Sequence, residues 1–306
     1  MIRDVALIPS TKGTYQRARM VASMAENLAE IGPPTGEDQQ RLGQLDQLLL
    51  DCRSMLVAYS GGVDSTFLAW RAARVLGRRS LAVTAVSDSL ASADRERARR
   101  LALEFEISHL ELPTHELERP DYRKNDADRC FHCKTELFEA LARVARQRDY
   151  AVLAYGAIPE DQQDHRPGAR AAAEAGARAP LAEAGLTKPA IRRLSREAGL
   201  PTYDLPAGAC LASRIAYHTE VTSQKLAMVA AAEAYLRELG FEQCRVRHHE
   251  GLARVEVPRP RLVELLEHAE PITTRLRQLG FVYVTLDLMG LRSGSMNEIW
   301  RLPVVG

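Results

Sequence analysis

Ser60, Gly61, Gly62, Asp64 and Ser65 stand together in the stretch SGGVDS, directly after the apolar run Met55–Tyr59. Two adjacent glycines let a backbone approach an anion with no side chain in the way. If a helix follows, its first N–H groups and the positive end of its dipole face the same anion. Ser60 and Ser65 add hydroxyl donors. The segment therefore predicts a phosphate cradle. It has neither the lysine of G-x-x-x-x-G-K-[ST] nor the spacing of G-x-G-x-x-G, and the missing lysine argues against ordinary transfer of a terminal phosphoryl group. The competing reading is a tight Gly-Gly turn with a helix cap. The order strand, turn, helix favours the cradle. Asp64, in the first helical turn, suits either complementation of the helix dipole or a magnesium ligand.

Five cysteines follow different patterns: Cys52, Cys130, Cys133, Cys210 and Cys244. Cys130 and Cys133 form C-x-x-C in DRCFHCKTELF, a spacing that lets two thiolates reach one metal at a helix start. Two cysteines do not complete a site. Cys210, in the polar loop PAGACLASR, is the natural third partner. Three readings are open at this point: structural zinc with His132 or His165 as fourth ligand, a thioredoxin-like pair, or a [4Fe–4S] cluster on three thiolates with one iron open. The surrounding strand pattern is wrong for the second. Cys52 ends an apolar helix and Cys244 lies in a predicted strand, so both are expected as core thiols.

Arg245 and Arg247 fall at period two in a predicted strand and face one side. They offer a basic face for a substrate phosphate, or a solvated strand face. Arg214 suits a substrate carboxylate or the capping of local carbonyls. Asp161 and Asp164 are either magnesium ligands or loop residues, with the loop the safer reading. His248 and His249 are expected at the surface.

These groups need elements to hold them. From residue 41 helical and strand patterns alternate: a helix in GQLDQLLLDC, strand 55–59, a helix from about 64 to 76, strand 80–86, a helix over 91–105 with Ser92 as cap, strand 109–112, a polar loop delivering Cys130, a helix over 134–148 and strand 150–156. This alternation predicts an α/β fold with a parallel, doubly wound sheet. LTKPAIRRLSREAGLP reads as a helix with Thr187 at its N-cap and a Gly–Pro stop. Residues 222–240 read as an amphipathic helix with Met228, Ala231, Ala232, Tyr235, Leu236 and Leu239 as its stripe. Strands in QCRVRHH, LARVEVP and FVYVTLDL complete a small α+β domain. The expected division is 1–40 as a loosely attached extension, 41–219 as the α/β domain and 220–306 as the second domain.

The bulk composition bounds the rest. The chain has 306 residues, 46% of them hydrophobic, 26% charged and 6% aromatic, with a formal net charge of +1. No global basic field advertises nucleic acid. No apolar run is long enough to span a membrane, and no signal-peptide pattern opens the chain. A cytoplasmic protein without nucleic-acid or membrane partners is expected, with its thiols reduced.

SGGVDS resembles the PP-loop of ATP pyrophosphatases, enzymes that cleave ATP between the α- and β-phosphates and adenylate an oxygen of the substrate. SGGVDSTFLAW, RCFHCKTELF, DHRPGAR, AGLTKPAIRRLSREAGLPTYDLPAGACLASRIAY, RVRHHEGLARVEV and LDLMGLRSGSMN occur in that order. Together they resemble the ATP-dependent sulfur transferases of nickel-pincer cofactor biosynthesis, the LarE family, over roughly residues 45–300. ACLASRI and RVRHH are the discriminating segments. The resemblance implies ATP and Mg2+, with Ser60, Gly61, Gly62 and Ser65 on the pyrophosphate and Asp64 on the metal. It implies a pyridinium-3,5-biscarboxylic acid mononucleotide as substrate, adenylated and then thiolated at each carboxylate by sulfide or another sulfur donor. Some members of the family sacrifice the sulfur of the cysteine matching Cys210. Others bind a [4Fe–4S] cluster on three thiols, which here would be Cys130, Cys133 and Cys210. The three-cysteine set points to the cluster form. Arg214, Arg245 and Arg247 are the expected substrate contacts, and a homo-oligomer is expected. The rivals are a PP-loop tRNA thiolase, an amidating synthetase that would not need the cysteines, and a nucleotide-sensing module without turnover.

Overall fold

A phosphate cradle at Ser60 requires a buried strand just before it, and the chain supplies one. The structure, a computed structural model, describes residues 31–162, 167–206, 208–292 and 294–296. Residues 1–30 of the expected extension, and the singled-out Asp164 and His165, lie outside the described residues.

Four strands form the first sheet: β1 (Met55–Ala58), β2 (Ser80–Val86), β3 (His109–Pro113) and β4 (Val152–Tyr155). All pair in parallel, in the order β3-β2-β1-β4. The longer helices that pack on it are α1 (Gly36–Asp51), α2 (Val63–Leu76), α3 (Ser92–Glu104), α4 (Arg129–Gln147) and α5 (Lys188–Glu197). Alternate residues of β1 serve opposite faces, as strand geometry dictates. Met55 and Val57 pack with Leu45 and Leu49 of α1, Phe67 and Leu68 of α2, and Ile191 and Leu194 of α5. Leu56 packs on the other side with Leu81, Val83, and Phe138 and Leu141 of α4. A parallel sheet buried on both faces is the α/β arrangement expected.

The order has a functional consequence. From β1 the chain steps outward through β2 to β3, then returns to place β4 on the far side of β1. The crevice beyond the carboxyl ends of β1 and β4 is therefore a topological switch point, where open α/β sheets bind ligands. SGGVDS leaves β1 at that point.

Several boundaries differ from expectation. Helix α1 begins at Gly36, so residues 36–40 belong to the packed domain and not to the extension. Thr35 accepts from the Asp38 N–H at 3.2 Å, and Asp38 accepts from the Thr35 N–H at 2.8 Å, a reciprocal capping box. Asp38 also takes a two-pronged pair from Arg193, which holds its carboxyl below the usual range. Ala91, not Ser92, is the N-cap of α3. Thr187 holds the N-cap position of α5, but its hydroxyl makes no cap bond there. Helix α4 starts at Arg129, so both cysteines of the C-x-x-C pair lie inside its first turns.

The second unit contains α6 (Ser223–Glu238), the antiparallel hairpin β5 (Arg245–His249) and β6 (Leu252–Glu256), α7 (Ala269–Gln278) and β7 (Tyr283–Leu286), which runs parallel to β6. Its core gathers Ala232, Leu236, Phe241, Val246, Val255, Ile272, Leu276 and Phe281. Helix α6 buries Ala232 and Leu236 of the expected stripe, with Met228, Tyr235 and Leu239 partly buried against the same core, and it also buries Leu226, Val229 and Glu233, which lie outside that stripe. It serves two cores at once: Leu226 and Val229 join Tyr122, Leu211, Ala212, Ile215 and Val221 in a cluster between the units. Ile215 also pairs with His248, and the Ala216 N–H donates to the His248 carbonyl at 3.0 Å. Among the described residues, no helix is long and apolar enough to cross a membrane.

Candidate functional site

The turn after β1 joins strand to helix in the order the sequence predicts. Gly61 has φ +70°, and a side-chain carbon there would meet Ala98 of α3 at 3.1 Å. Glycine is required on both counts. Arg97 donates from Nε to the Gly61 carbonyl at 3.1 Å and pins the turn to α3. Gly62 is the N-cap of α2, in extended conformation. The Ser60 and Ser65 hydroxyls lie 3.0 Å apart, and the Ser60 N–H donates to Ser65 Oγ at 3.2 Å. The first N–H groups of α2 have no acceptor within the helix, so the turn gathers unpaired donors around one point. Gly156, just past β4, closes the other wall: a side-chain carbon there would lie 2.8 Å from the Ser65 nitrogen.

Asp64 sits on the first turn of α2. Its Oδ2 pairs with Lys188 Nζ, while its Oδ1 is buried with no hydrogen-bond partner. Lys188 opens α5, and its N–H donates to Glu160 Oε1 at 3.0 Å. The lysine absent from the glycine turn thus arrives from elsewhere in the chain. An orphaned carboxylate oxygen beside a phosphate cradle suits Mg2+, which is held by one or two carboxylates plus substrate phosphates. Asp161 is a loop-capping residue: its Oδ2 accepts from the Ile158 N–H at 3.1 Å.

Cys130 is exposed, Cys133 half-buried and Cys210 exposed, whereas Cys52 and Cys244 are buried. Burial pushes the Cys133 thiol up, and Cys210, Glu116 and Cys130 add to the rise, so the three thiols share one neighbourhood. They do not converge on a point: among the described residues no three His, Cys, Asp or Glu side chains are gathered to hold a metal ion. His132 bonds Asp128 at 3.2 Å. The donor set, three thiols free of disulfides, has the chemistry of an iron–sulfur site, although the side chains would have to close up to ligate one group.

Two residues that the sequence reading left in a polar loop hold this neighbourhood together. Asn125, fully buried at φ +59°, donates from Nδ2 to the carbonyls of Ala216 at 2.7 Å and Thr219 at 3.0 Å. Arg129 donates to Asn125 Oδ1 and, at 3.0 Å, to the Ala212 carbonyl. Together they clasp the Cys210 loop to the first turn of α4.

The three candidate arginines divide. Arg214 is buried and caps carbonyls: it donates to Ala209 and Cys210 while pairing with the buried Glu233 at 2.9 Å. Arg247 is buried against Glu256 at 2.8 Å and donates to Ser295 Oγ. The expected open basic face is therefore largely neutralised, because Glu233 and Glu256 turn inward to meet it. Arg245 donates to the Cys244 carbonyl at 2.7 Å. Burial first, then repulsion from Arg214, holds its pKa below the usual guanidinium value. His248, expected at the surface, is buried, and its pKa is lowered by burial and by Lys225. Glu233 and Glu256 had no signal in the sequence that marked them off from ordinary solvent-facing carboxylates.

No protein-family model matches the chain. It is 38% identical over 251 residues to the pyridinium-3,5-bisthiocarboxylic acid mononucleotide synthase of Lactiplantibacillus plantarum, a match spanning 82% of this chain and 91% of that protein. It is 40% identical over 263 residues to an uncharacterized protein of Synechocystis sp., covering 85% of this chain and 98% of the relative. An uncharacterized protein of Methanocaldococcus jannaschii is 25% identical over 241 residues, or 79% of this chain and 92% of the relative. With an extent and identity of that order, and the motifs in register with the resemblance read from the sequence, the chain belongs to the pyridinium-3,5-bisthiocarboxylic acid mononucleotide synthase (LarE) family.

Proposed function

We propose that the protein adenylates each carboxylate of a pyridinium-3,5-biscarboxylic acid mononucleotide with ATP and replaces the adenylate by sulfur. The observation that carries this reading is the pairing of a phosphate cradle at the sheet's switch point with three neighbouring thiols, in a chain 38% identical to a synthase of the bisthiocarboxylic acid mononucleotide.

The turn 60–65 holds the β- and γ-phosphates, with the α2 dipole stabilising their charge. Asp64, whose Oδ1 has no other partner, would hold Mg2+, an ion that neutralises charge on the phosphates when bound. Lys188, beside Asp64, is placed to take the negative charge that builds on departing pyrophosphate. A substrate carboxylate oxygen attacks the α-phosphorus and pyrophosphate leaves. The resulting acyl adenylate has AMP as its leaving group, so a sulfur nucleophile attacks the acyl carbon, AMP departs, and a thiocarboxylate remains. Arg245 is the arginine left to hold the mononucleotide's phosphate. Cys130, Cys133 and Cys210 would hold a [4Fe–4S] cluster, which supplies labile sulfur when bound.

One observation favours a second reading. Cys210 is exposed on its loop, which suits a form in which it gives up its own sulfur. There Cys210 Sγ bonds to the acyl carbon as AMP leaves; the Cβ–Sγ bond then breaks as the Cα proton is lost, leaving dehydroalanine. Anaerobic reconstitution with iron and sulfide, followed by iron counting, Mössbauer spectroscopy and mass spectrometry after turnover, separates the two. The cluster reading expects bound iron and an intact Cys210 after several turnovers. Loss of hydrogen sulfide from the Cys210 peptide after one turnover replaces it with the second. No AMP formed from ATP and the pyridinium dicarboxylate would overturn both.

A further inference from the structure

Arg129 has only 6% of its surface exposed. Both acceptors of its guanidinium, the Asn125 side-chain oxygen and the Ala212 carbonyl, are neutral. Among the described residues no carboxylate pairs with it; the groups that act on its charge are Cys210, Cys130, Tyr122 and Tyr217. The acids close by in sequence are engaged elsewhere, Asp126 with His218 at 2.8 Å and Asp128 with His132. The other buried arginines differ: Arg214 faces Glu233 and Arg247 faces Glu256. A buried cation without a partner is costly. Tyr122 is fully buried and shares its hydroxyl with Ser89 at 2.8 Å, an environment that keeps a phenol neutral. Among the described residues the groups that act most on its charge are the sulfurs of Cys210 and Cys130, ahead of the phenols of Tyr122 and Tyr217.

We propose that Arg129 is the fixed countercharge of the three-cysteine site: it ties the Cys210 loop to the first turn of α4 and stabilises anionic sulfur held there. It is a positioning residue. The assignment rests on this being the sulfur-handling site but not on the species that occupies it. Thiolate, hydrosulfide and an anionic cluster share the same chemistry toward a guanidinium.

The test reads local potential at the two sulfurs in the metal-free, anaerobic protein. Cys130 and Cys210 are alkylated in parallel with iodoacetate, an anion, and with iodoacetamide, which is neutral, and each peptide is quantified by mass spectrometry. In both reactions the thiolate sulfur bonds to the methylene carbon as iodide leaves. The same thiolate serves both reagents, so the ratio of rates reports charge nearby and not how much thiol is ionised. The wild-type ratio is expected to exceed that of the urea-unfolded chain. Arg129→Met should lower it by about fivefold, the scale of one partly screened charge, and Arg129→Lys should retain it. A role in packing alone would change both rates together and leave the ratio in Arg129→Met at the wild-type value, which overturns the proposal. If Arg129→Met does not fold, a folded wild-type ratio no higher than the unfolded one overturns it equally. Iron content after reconstitution is measured separately. A protein that takes up no iron yet shows the charge-dependent ratio loses the cluster reading and supports the role of Arg129.

Discussion

Replacing Gly156 by alanine tests whether the end of β4 sets the shape of the cradle. The new methyl carbon would lie 2.8 Å from the Ser65 nitrogen, 3.0 Å from the Asp64 carbonyl carbon and 3.1 Å from Ser65 Cα. All three are backbone atoms, so no side chain can swing aside. Normal carbon contacts start near 3.5 Å, so the first turn of α2 has to retreat from β4 by roughly 0.5–1 Å. Overpacking of this kind costs about 1–3 kcal/mol. The displaced turn carries the phosphate donors, so a similar cost falls on ATP, and about 1.4 kcal/mol corresponds to tenfold in affinity. Calorimetric titration with α,β-methylene-ATP is expected to show roughly tenfold weaker binding, alongside a lowered Tm. Gly43 is the control: nothing lies within 4 Å of its added carbon, and within helix α1 alanine should add about 0.5–1 kcal/mol without touching ATP affinity. A Gly156→Ala protein that is destabilised as expected but binds the analogue like wild type would refute the reasoning, because the strand end would then not shape the nucleotide site.

Asp64→Asn removes the orphaned carboxylate oxygen beside the cradle; AMP formation should fall about 100-fold or more with Tm little changed, and unchanged turnover in a pyrophosphate-release assay would count against its role. Arg245→Met should raise the KM for the mononucleotide by about tenfold while leaving that for ATP alone, and initial-rate kinetics with each substrate varied would expose the opposite pattern. Glu256 is fully buried and accepts from Arg247, Arg254 and the Ser295 hydroxyl, so Glu256→Ala should cost about 3–5 kcal/mol in urea unfolding, with a loss under 1 kcal/mol showing that water replaces it. Burial holds the pKa values of His109, His248 and His249 below the ordinary 6.5. As pH falls through that value the unfolded chain takes up protons first, so this stability is present above about pH 6.5 and lost below it; Tm should drop between about pH 7.5 and pH 5.5, and a flat Tm would show that burial does not hold these rings neutral.

The parts of the site built within one stretch of chain were legible in the sequence. SGGVDS declares its strand, its turn and its helix within a few residues, and each local preference agrees with the others. The C-x-x-C pair is likewise local. What the sequence hid were partners brought by topology. Lys188 reaches Asp64 across 124 positions, and nothing around KPAIRRLS marks that lysine off from a solvated helix start. Arg129 reaches Ala212 across 83. Period two correctly put Arg245 and Arg247 on one face, but not the inward carboxylates of Glu233 and Glu256 that meet that side. Glu233 lies among apolar residues of α6, where a periodicity argument counts it as a solvent position. The early start of α1 was missed for a smaller reason: Pro33, Pro34 and Gly36 looked like a break, whereas Thr35 and Asp38 make a cap.

The buried ion pairs gain meaning from what they connect. Glu233 accepts from Arg214, from Arg237 and from the Val246 N–H of β5. Arg214 in turn holds the carbonyls of Ala209 and Cys210. One carboxylate of the second unit therefore fixes both the strand that carries Arg245 and Arg247 and the loop that carries Cys210. Well-packed apolar residues would stabilise such a junction at least as well, since desolvation offsets much of the gain from a buried pair. They would not dictate direction, whereas a forked guanidinium with two carbonyls and a carboxylate on it admits one arrangement. On the proposed function, with Arg245 holding the mononucleotide and Cys210 beside the incoming sulfur, the two units must keep one alignment for the reacting atoms to meet within about 3.5 Å. That proposal gives the network a role in alignment as well as in stability: Glu233 and Glu256 hold the arginines and the Cys210 loop in one arrangement without touching substrate themselves.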